Sequence, residues 1–229
     1  MIIHVKDYGK IKEAKIKLAP LTLFVGDNNS GKSYLTSLIW GLYNIGTRRL
    51  FGEVGRLETR AEKQLKKWLD EQIDIAIEKG DSTVSLNTIS STLYEVINDC
   101  LERKKDKLVS WIFNSPSVKI GELKIQKEEF ENTKQLKCKF LCEKNEEIDS
   151  IEIRCGNKGF ITSLNEKKSY RNFLLNGIIS AVLDIPFNNS LSINSLKNAN
   201  IYVPAARTGF MLTKDIVNKV GRDNTFNRR

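Results

Sequence analysis

The sequence predicts an α/β fold of mixed rather than regularly alternating order, and three observations carry that reading. A short apolar run, Leu21-Thr22-Leu23-Phe24-Val25, leads into Gly26-Asp27-Asn28-Asn29-Ser30-Gly31-Lys32-Ser33, and Leu35, Leu38, Ile39 and Leu42 then recur at helical spacing. That is a strand–loop–helix order with a phosphate-binding loop at its centre. Apolar residues keep helical spacing through 56–112 and again through 166–184. Between those stretches the period changes to two, the mark of strands with one covered face.

The elements follow in chain order. Residues 2–6 and 11–18 read as two strands joined through Asp7-Tyr8-Gly9-Lys10, the second half exposed because Ile11, Ile16 and Leu18 stand among lysines. Pro20 separates them from an expected buried strand at 21–25. The loop helix is expected over about 32–45, stopping at Gly46. Ala61, Leu65, Trp68, Leu69, Ile73, Ala76 and Ile77 form the stripe of a helix over 56–79, ended by Gly80 and Asp81. Leu86, Ile89, Leu93, Val96, Ile97, Cys100 and Leu101 begin a second stripe that runs on to Leu108 and Ile112 and closes at Asn114-Ser115-Pro116. The two helices suit an antiparallel pair and are too short for a long coiled coil. Leu136, Cys138, Phe140 and Cys142, then Ile151, Ile153 and Cys155, alternate with mostly charged residues, and Gly156-Asn157-Lys158-Gly159 is a turn signal. Residues 118–163 are therefore expected to form one antiparallel meander. Tyr170, Phe173, Leu174, Gly177, Ile178, Ala181 and Val182 mark a helix over 166–184, and Ile201-Tyr202-Val203 a short buried strand running into Pro204. The expected organisation is a head segment at 1–47, a helical insertion at 48–116, the meander at 117–164 and a return to the head at 165–229.

Composition narrows the class. With 229 residues, 40% hydrophobic and 28% charged, the chain suits a globular protein. No apolar run approaches the ~20 residues that span a bilayer, and the start, Met1-Ile2-Ile3-His4-Val5-Lys6, has no signal-peptide pattern. The four cysteines form no dense framework, so reduced thiols and a cytoplasmic location are expected. The net charge of +9 permits nucleic-acid binding without requiring it. The cluster Arg103-Lys104-Lys105 with Lys107 reads as a solvated helix face or as phosphate contacts. The tail with Arg222, Arg228 and Arg229 reads as a frayed end.

The 26–33 segment carries the chemistry. Gly26 and Gly31 let the backbone turn and approach a phosphate chain closely. Backbone N–H groups of Asn28, Asn29, Ser30 and Gly31 are placed to cradle it, Lys32 to reach the terminal phosphates, and the Ser33 hydroxyl to ligate Mg²⁺. Tyr34 follows in the first helical turn, where the helix dipole favours an anion. Other candidates are weaker. Cys138 and Cys142 share a strand face with Phe140 between them, which suits buried small hydrophobes. His4 is the only histidine, too few for a zinc site or a histidine-based triad. Val182-Leu183-Asp184-Ile185-Pro186 imitates an apolar strand ending in a metal-binding Asp, yet its period is helical and Ile185 stands where a catalytic Glu belongs. Arg207, just past the strand at 201–203, is placed for a phosphate or a partner subunit, or for a turn in which it pairs with an acid such as Asp215.

Together, Tyr8-Gly9-Lys10-Ile11, Ala19-Pro20-Leu21-Thr22-Leu23-Phe24-Val25, the 26–33 loop and Tyr202-Val203-Pro204-Ala205-Ala206-Arg207-Thr208-Gly209 resemble bacterial ABC/SMC-like AAA ATPases, the group that includes RecF-like and OLD-family proteins and the ATPases of several phage-defence systems. The matched stretches cover about residues 1–47 and 200–213. The resemblance implies ATP and Mg²⁺ in a head domain, with two heads clamping ATP between the P-loop of one and the signature motif of the other. The family's signature motif, Walker B Asp-Glu and switch His are expected after residue 213 and are not recognisable before Arg229. The chain therefore looks like an N-terminal portion truncated before Walker B, with no catalytic residue assigned. The expected function is an ATP-binding head module for DNA maintenance or phage defence, hydrolysis needing residues absent from this chain. Its expected partners are a head-to-head homodimer or a second chain supplying the missing motifs, with DNA a further candidate and no membrane. The alternative is a non-catalytic nucleotide-binding interaction protein or a truncated remnant. A GTPase is disfavoured because the family pattern Asn-Lys-x-Asp is missing.

Overall fold

A computed structural model describes residues 1–19, 22–46, 49–127, 137–143, 149–156, 158–164 and 169–183. Its elements are β1 (Ile2–Tyr8), β2 (Ile11–Lys17), α1 (Lys32–Gly41), α2 (Arg60–Lys79), β3 (Asp81–Ser85), α3 (Ser90–Phe113), β4 (Ile120–Gln126), β5 (Lys137–Glu143), β6 (Ser150–Cys155), β7 (Lys158–Ser163) and α4 (Ser169–Leu183). The result is a mixed α/β fold, as the sequence predicts. It holds two antiparallel sheets, one in the order β2-β1-β4 and one in the order β3-β5-β6-β7.

The first sheet positions the loop. β1 and β2 form the expected hairpin, with Ile3 opposite Ile16 and Val5 opposite Ala14. The third strand comes from far along the chain: β4 lies antiparallel to β1, with Ile3 opposite Ile125 and Val5 opposite Leu123. The expected meander over 118–163 is therefore divided. β4 joins the N-terminal hairpin, and only β5, β6 and β7 are consecutive neighbours. Alternation reports which face is covered and says nothing about which strand lies alongside.

α3 packs against this sheet through β4. Its buried Leu93, Val96, Ile97, Cys100, Leu101, Leu108 and Val109 join the same core as Ile3, Val5, Leu123 and Ile125. The helix ends at Asn114, which adopts the left-handed conformation (φ 50°) that lets a chain leave a helix, as the Asn-Ser-Pro signal predicts. One side chain of α3 also closes the sheet. Asn98 donates to the Ile125 carbonyl (3.0 Å) and accepts from the Ile125 N–H (2.8 Å), standing in for a fourth strand at that position.

α2 buries Ala61, Leu65, Leu69, Ile73 and Ala76, five of the seven predicted stripe residues, and Gly80 caps it with φ 86°. It packs on α3 and on the second sheet, where the Trp68 ring meets Phe140 edge-on at 6.0 Å. α4 packs beside β7, and its Arg171 donates to Asp70 of α2. Val182 and Leu183 are buried residues of this helix, so the Walker-B-like run begins as helix; Asp184 and beyond lie outside the described residues.

Two expectations fail here. Residues 22–25 belong to neither sheet. Leu23 is 75% and Val25 89% exposed, and only Phe24 leans on the core. Reading the run as buried assumed a layer on both faces, and among the described residues only one face is covered. The cysteines are not all reduced. Cys138 and Cys155 stand opposite one another on β5 and β6 and form a disulfide, both buried. The alternation placed Cys138 and Cys155 on covered faces, but their pairing depends on strand register, which is not written in either strand alone.

Candidate functional site

The 26–33 loop is shaped by its backbone. Gly26 (φ 145°), Asn29 (φ 68°) and Gly31 (φ 91°) all take positive φ, a region closed to most side chains. Gly31 is constrained twice, because a Cβ there would come 2.8 Å from Ile11 Cγ1 of β2. The hairpin thus presses directly on the end of the loop. The Ser30 N–H donates to the Asp27 carbonyl (3.3 Å), closing the turn, and the first helical hydrogen bond runs from the Leu35 N–H to the Gly31 carbonyl (3.1 Å).

The N-terminus of α1 has no side-chain cap and no acidic residue in its first turn. The opening N–H groups of a helix have no partner within the helix, and the dipole makes that end partly positive. Lys32 adds a full charge. Its ammonium donates to the Gly26 carbonyl (2.7 Å), the Asp27 carbonyl and the Ser30 hydroxyl (3.2 Å), so the loop's own oxygens hold it over the loop. Among the described residues Lys32 makes no ion pair. Asn28, Asn29, Ser30 and Ser33 are exposed along the same stretch. The arrangement fits the phosphates of a nucleotide: flexible-φ backbone, uncapped helix, held ammonium and an exposed hydroxyl for a cation.

Tyr34 faces the hairpin. A Cβ on Gly9 would fall 2.6 Å from its Cε1, and its ring lies 5.5 Å from Tyr8 and 5.3 Å from Phe113 of α3. Further along α1, Gly41 lets Ile112 approach to where a Cβ would stand, 2.3 Å from Ile112 Cδ1. The loop helix is therefore seated on the hairpin at one end and on the end of α3 along its length. Arg207 lies outside the described residues.

The remaining candidates resolve into structural roles. His4 sits in β1 between two carboxylates, its Nε2 2.7 Å from Glu13 and its Nδ1 3.7 Å from Glu122. The His4 hydrogen bond, then the Lys6 charge, holds the Glu13 carboxyl below the usual range; the Lys124 hydrogen bond does the same for Glu122. Among the described residues no group of three or more His, Cys, Asp or Glu is placed to hold a metal. The basic cluster is put to use in packing. Arg103 donates to the Leu57 carbonyl (2.8 Å) and Lys105 to the Gly121 carbonyl (2.7 Å), so these two cations tie the loop at Leu57 and the start of β4 to α3 rather than forming a bare phosphate-binding face. No described helix is long and apolar enough to cross a membrane.

Sequence reasoning missed the N-terminus of α2. Thr59 accepts from the Glu62 N–H (3.3 Å), and the buried Glu62 carboxylate accepts from the N–H groups of Gly55 and Glu58, the latter at 2.7 Å. Thr59-Arg60-Ala61-Glu62 is the S/T-x-x-E pattern of a capping box and was there to be found.

Comparison with known proteins agrees with this geometry. A family model described as an AAA ATPase domain matches residues 1–203. No curated protein and no solved structure matches the chain. With most of its length covered, the chain belongs to the AAA ATPase domain family, whose members are nucleotide-binding ATPases.

Proposed function

We propose that residues 26–34 bind the phosphates of Mg-ATP and that the chain acts as the ATP-binding head of an ABC/SMC-like ATPase in DNA maintenance or phage defence. The observation that carries the nucleotide reading is the Lys32 ammonium held by the Gly26 and Asp27 carbonyls at the uncapped start of α1. In this reading the loop N–H groups and Lys32 hold the phosphates, and Ser33 holds Mg²⁺, which supplies charge neutralisation at the phosphate oxygens. Asn28, Asn29 and Gly31 shape the cradle, Tyr34 fixes the helix that carries it, and Arg207 adds a cation to the bound nucleotide. The proposed partner is a second chain that supplies the acidic groups hydrolysis needs, or a facing copy with which the head forms a homodimer. DNA is the proposed substrate of the assembled heads, supported by the net charge of +9.

The test is calorimetric titration of ATP into the purified chain with and without Mg²⁺, using wild type and Ser33→Ala. Tighter binding with Mg²⁺ in the wild type, lost in Ser33→Ala, supports the reading. Equal binding with and without Mg²⁺ in both proteins overturns the metal role.

A further inference from the structure

Three consecutive residues in the last turn of α3 hold the helix that carries the 26–33 loop. The Phe113 ring lies 5.3 Å from that of Tyr34, the residue after Ser33. Ile112 occupies the space beside Gly41, the last residue of α1. A Cβ on Gly41 would stand 2.3 Å from both Cδ1 and Cγ1 of Ile112. The Arg49 guanidinium, beyond the end of α1, lies 5.4 Å from the centre of the Trp111 ring. One turn of α3 therefore touches the start of α1, its end and the chain that follows.

Helix propensity does not account for Gly41. Alanine is the better helix former, and Gly41 is not one of the glycines with positive φ. What glycine provides here is the close approach of Ile112. At the other end Tyr34 is held twice, by Phe113 and by Gly9 of the hairpin turn, where a Cβ would fall 2.6 Å from its Cε1. α1 has ten residues and is about 15 Å long. A helix this short moves as a rigid element, so a shift at Gly41 is felt at Lys32 and Ser33.

We propose that Ile112 and Phe113 are positioning residues for the nucleotide's phosphates, a role that rests on the nucleotide reading of residues 26–34. They set the position of α1, and through it the direction of the loop N–H groups, the Lys32 ammonium and the Ser33 hydroxyl. Neither touches the ligand; both act through α1. Coupling of this kind is reciprocal. Whatever displaces the end of α3 weakens nucleotide binding, and bound nucleotide steadies the end of α3. The helical segment that ends at Phe113 is thereby tied to the occupancy of a loop far from it along the chain.

The test uses the full chain and two readouts: Mg-ATP affinity corrected for the folded fraction, and amide hydrogen exchange at Leu35–Leu38 without nucleotide. Helix propensity alone predicts that Gly41→Ala tightens α1 and slows exchange. The seat predicts the opposite, because the new Cβ pushes α1 off Ile112. Exchange should quicken, and ATP should bind roughly tenfold more weakly. Adding Ile112→Ala removes Cγ1 and Cδ1 and leaves its Cβ 3.6 Å away, an ordinary contact. The double variant should therefore recover most of the lost affinity and protection. Phe113→Leu, which keeps an apolar side chain but loses the ring, should weaken binding and quicken exchange as well, and it serves if Gly41→Ala folds poorly. Unchanged affinity or unchanged exchange in Gly41→Ala overturns the proposal, as does a double variant no better than the single one. Wild type that fails to bind Mg-ATP overturns the nucleotide reading instead, and the exchange readout still decides whether α3 seats the loop helix.

Discussion

The N-termini of α1 and α2 meet one physical demand in opposite ways. Each helix starts with N–H groups that no intrahelical carbonyl can reach. At α2 the protein fills that need itself, with the Thr59 hydroxyl on Glu62 and the Glu62 carboxylate on the two preceding loop N–H groups. At α1 it supplies nothing: Gly31 has no side chain, the first turn has no acid, and Lys32 adds positive charge. The closed terminus is a folding device. In the proposed reading the open one takes an anion from outside, so its disruption should cost binding and disruption of the other should cost stability.

The largest stability effect should come from opening the closed terminus. Glu62→Ala leaves the part-buried N–H groups of Gly55 and Glu58 without their acceptor. At the low end of ~1–3 kcal/mol for each such group, the loss should be about 2–3 kcal/mol in urea unfolding, with ATP affinity corrected for the folded fraction unchanged. Gly31→Ala strikes the open terminus. A Cβ at φ 91° and 2.8 Å from Ile11 should cost ~1–2 kcal/mol and also weaken ATP binding. Gly52→Ala is the matched control, because a Cβ there meets nothing within 4 Å. Its unfolding midpoint and ATP affinity should stay close to wild type.

Thr59→Ala should be milder than Glu62→Ala, about 1 kcal/mol, as for other lost helix caps. If Thr59→Ala proves the costlier of the two, the buried carboxylate is not the main closure of α2.

The smallest effect should be the pH response of the outer face of the first sheet. The Glu13 and Glu122 carboxyls are held below their ordinary values by His4 and Lys124. A depressed carboxyl contributes stability above its unfolded value and loses it as pH falls through the folded one. Thermal midpoints followed down through the acid range should therefore fall more steeply in wild type than in Glu13→Gln, and added salt should shrink the difference because Glu13 is exposed.

How much of this was legible in the sequence depends on the range of the interaction. The 26–33 loop could be read because positive φ and close approach demand particular residues at fixed positions. The helices could be read because Leu65, Leu69, Ile73 and Ala76, or Leu93, Val96, Ile97 and Cys100, repeat with the helical period. What escaped depends on partners distant along the chain. The pairing of β4 with β1, the Cys138–Cys155 disulfide and the grip of Asn98 on Ile125 all require knowing which strand lies beside which. The run at 22–25 was misread for a related reason. Its apolar residues show that it can be buried, not that a covering layer is present on both faces. The sequence-predicted Arg207 and the strand at 201–203 fall outside the described residues and stay with the proposal.

The measurement closest to the central claim is calorimetric titration of Mg-ATP into wild type and Lys32→Ala at equal folded concentration. Among the described residues the Lys32 ammonium hydrogen-bonds only the loop's own oxygens, so its removal should leave the unfolding midpoint nearly unchanged. Loss of a hydrogen bond to a charged phosphate, ~1.5–3 kcal/mol, predicts binding weaker by about 10- to 100-fold. Equal affinity in the two proteins would contradict the account, for it would mean that the open terminus of α1 is not where the nucleotide's phosphates sit.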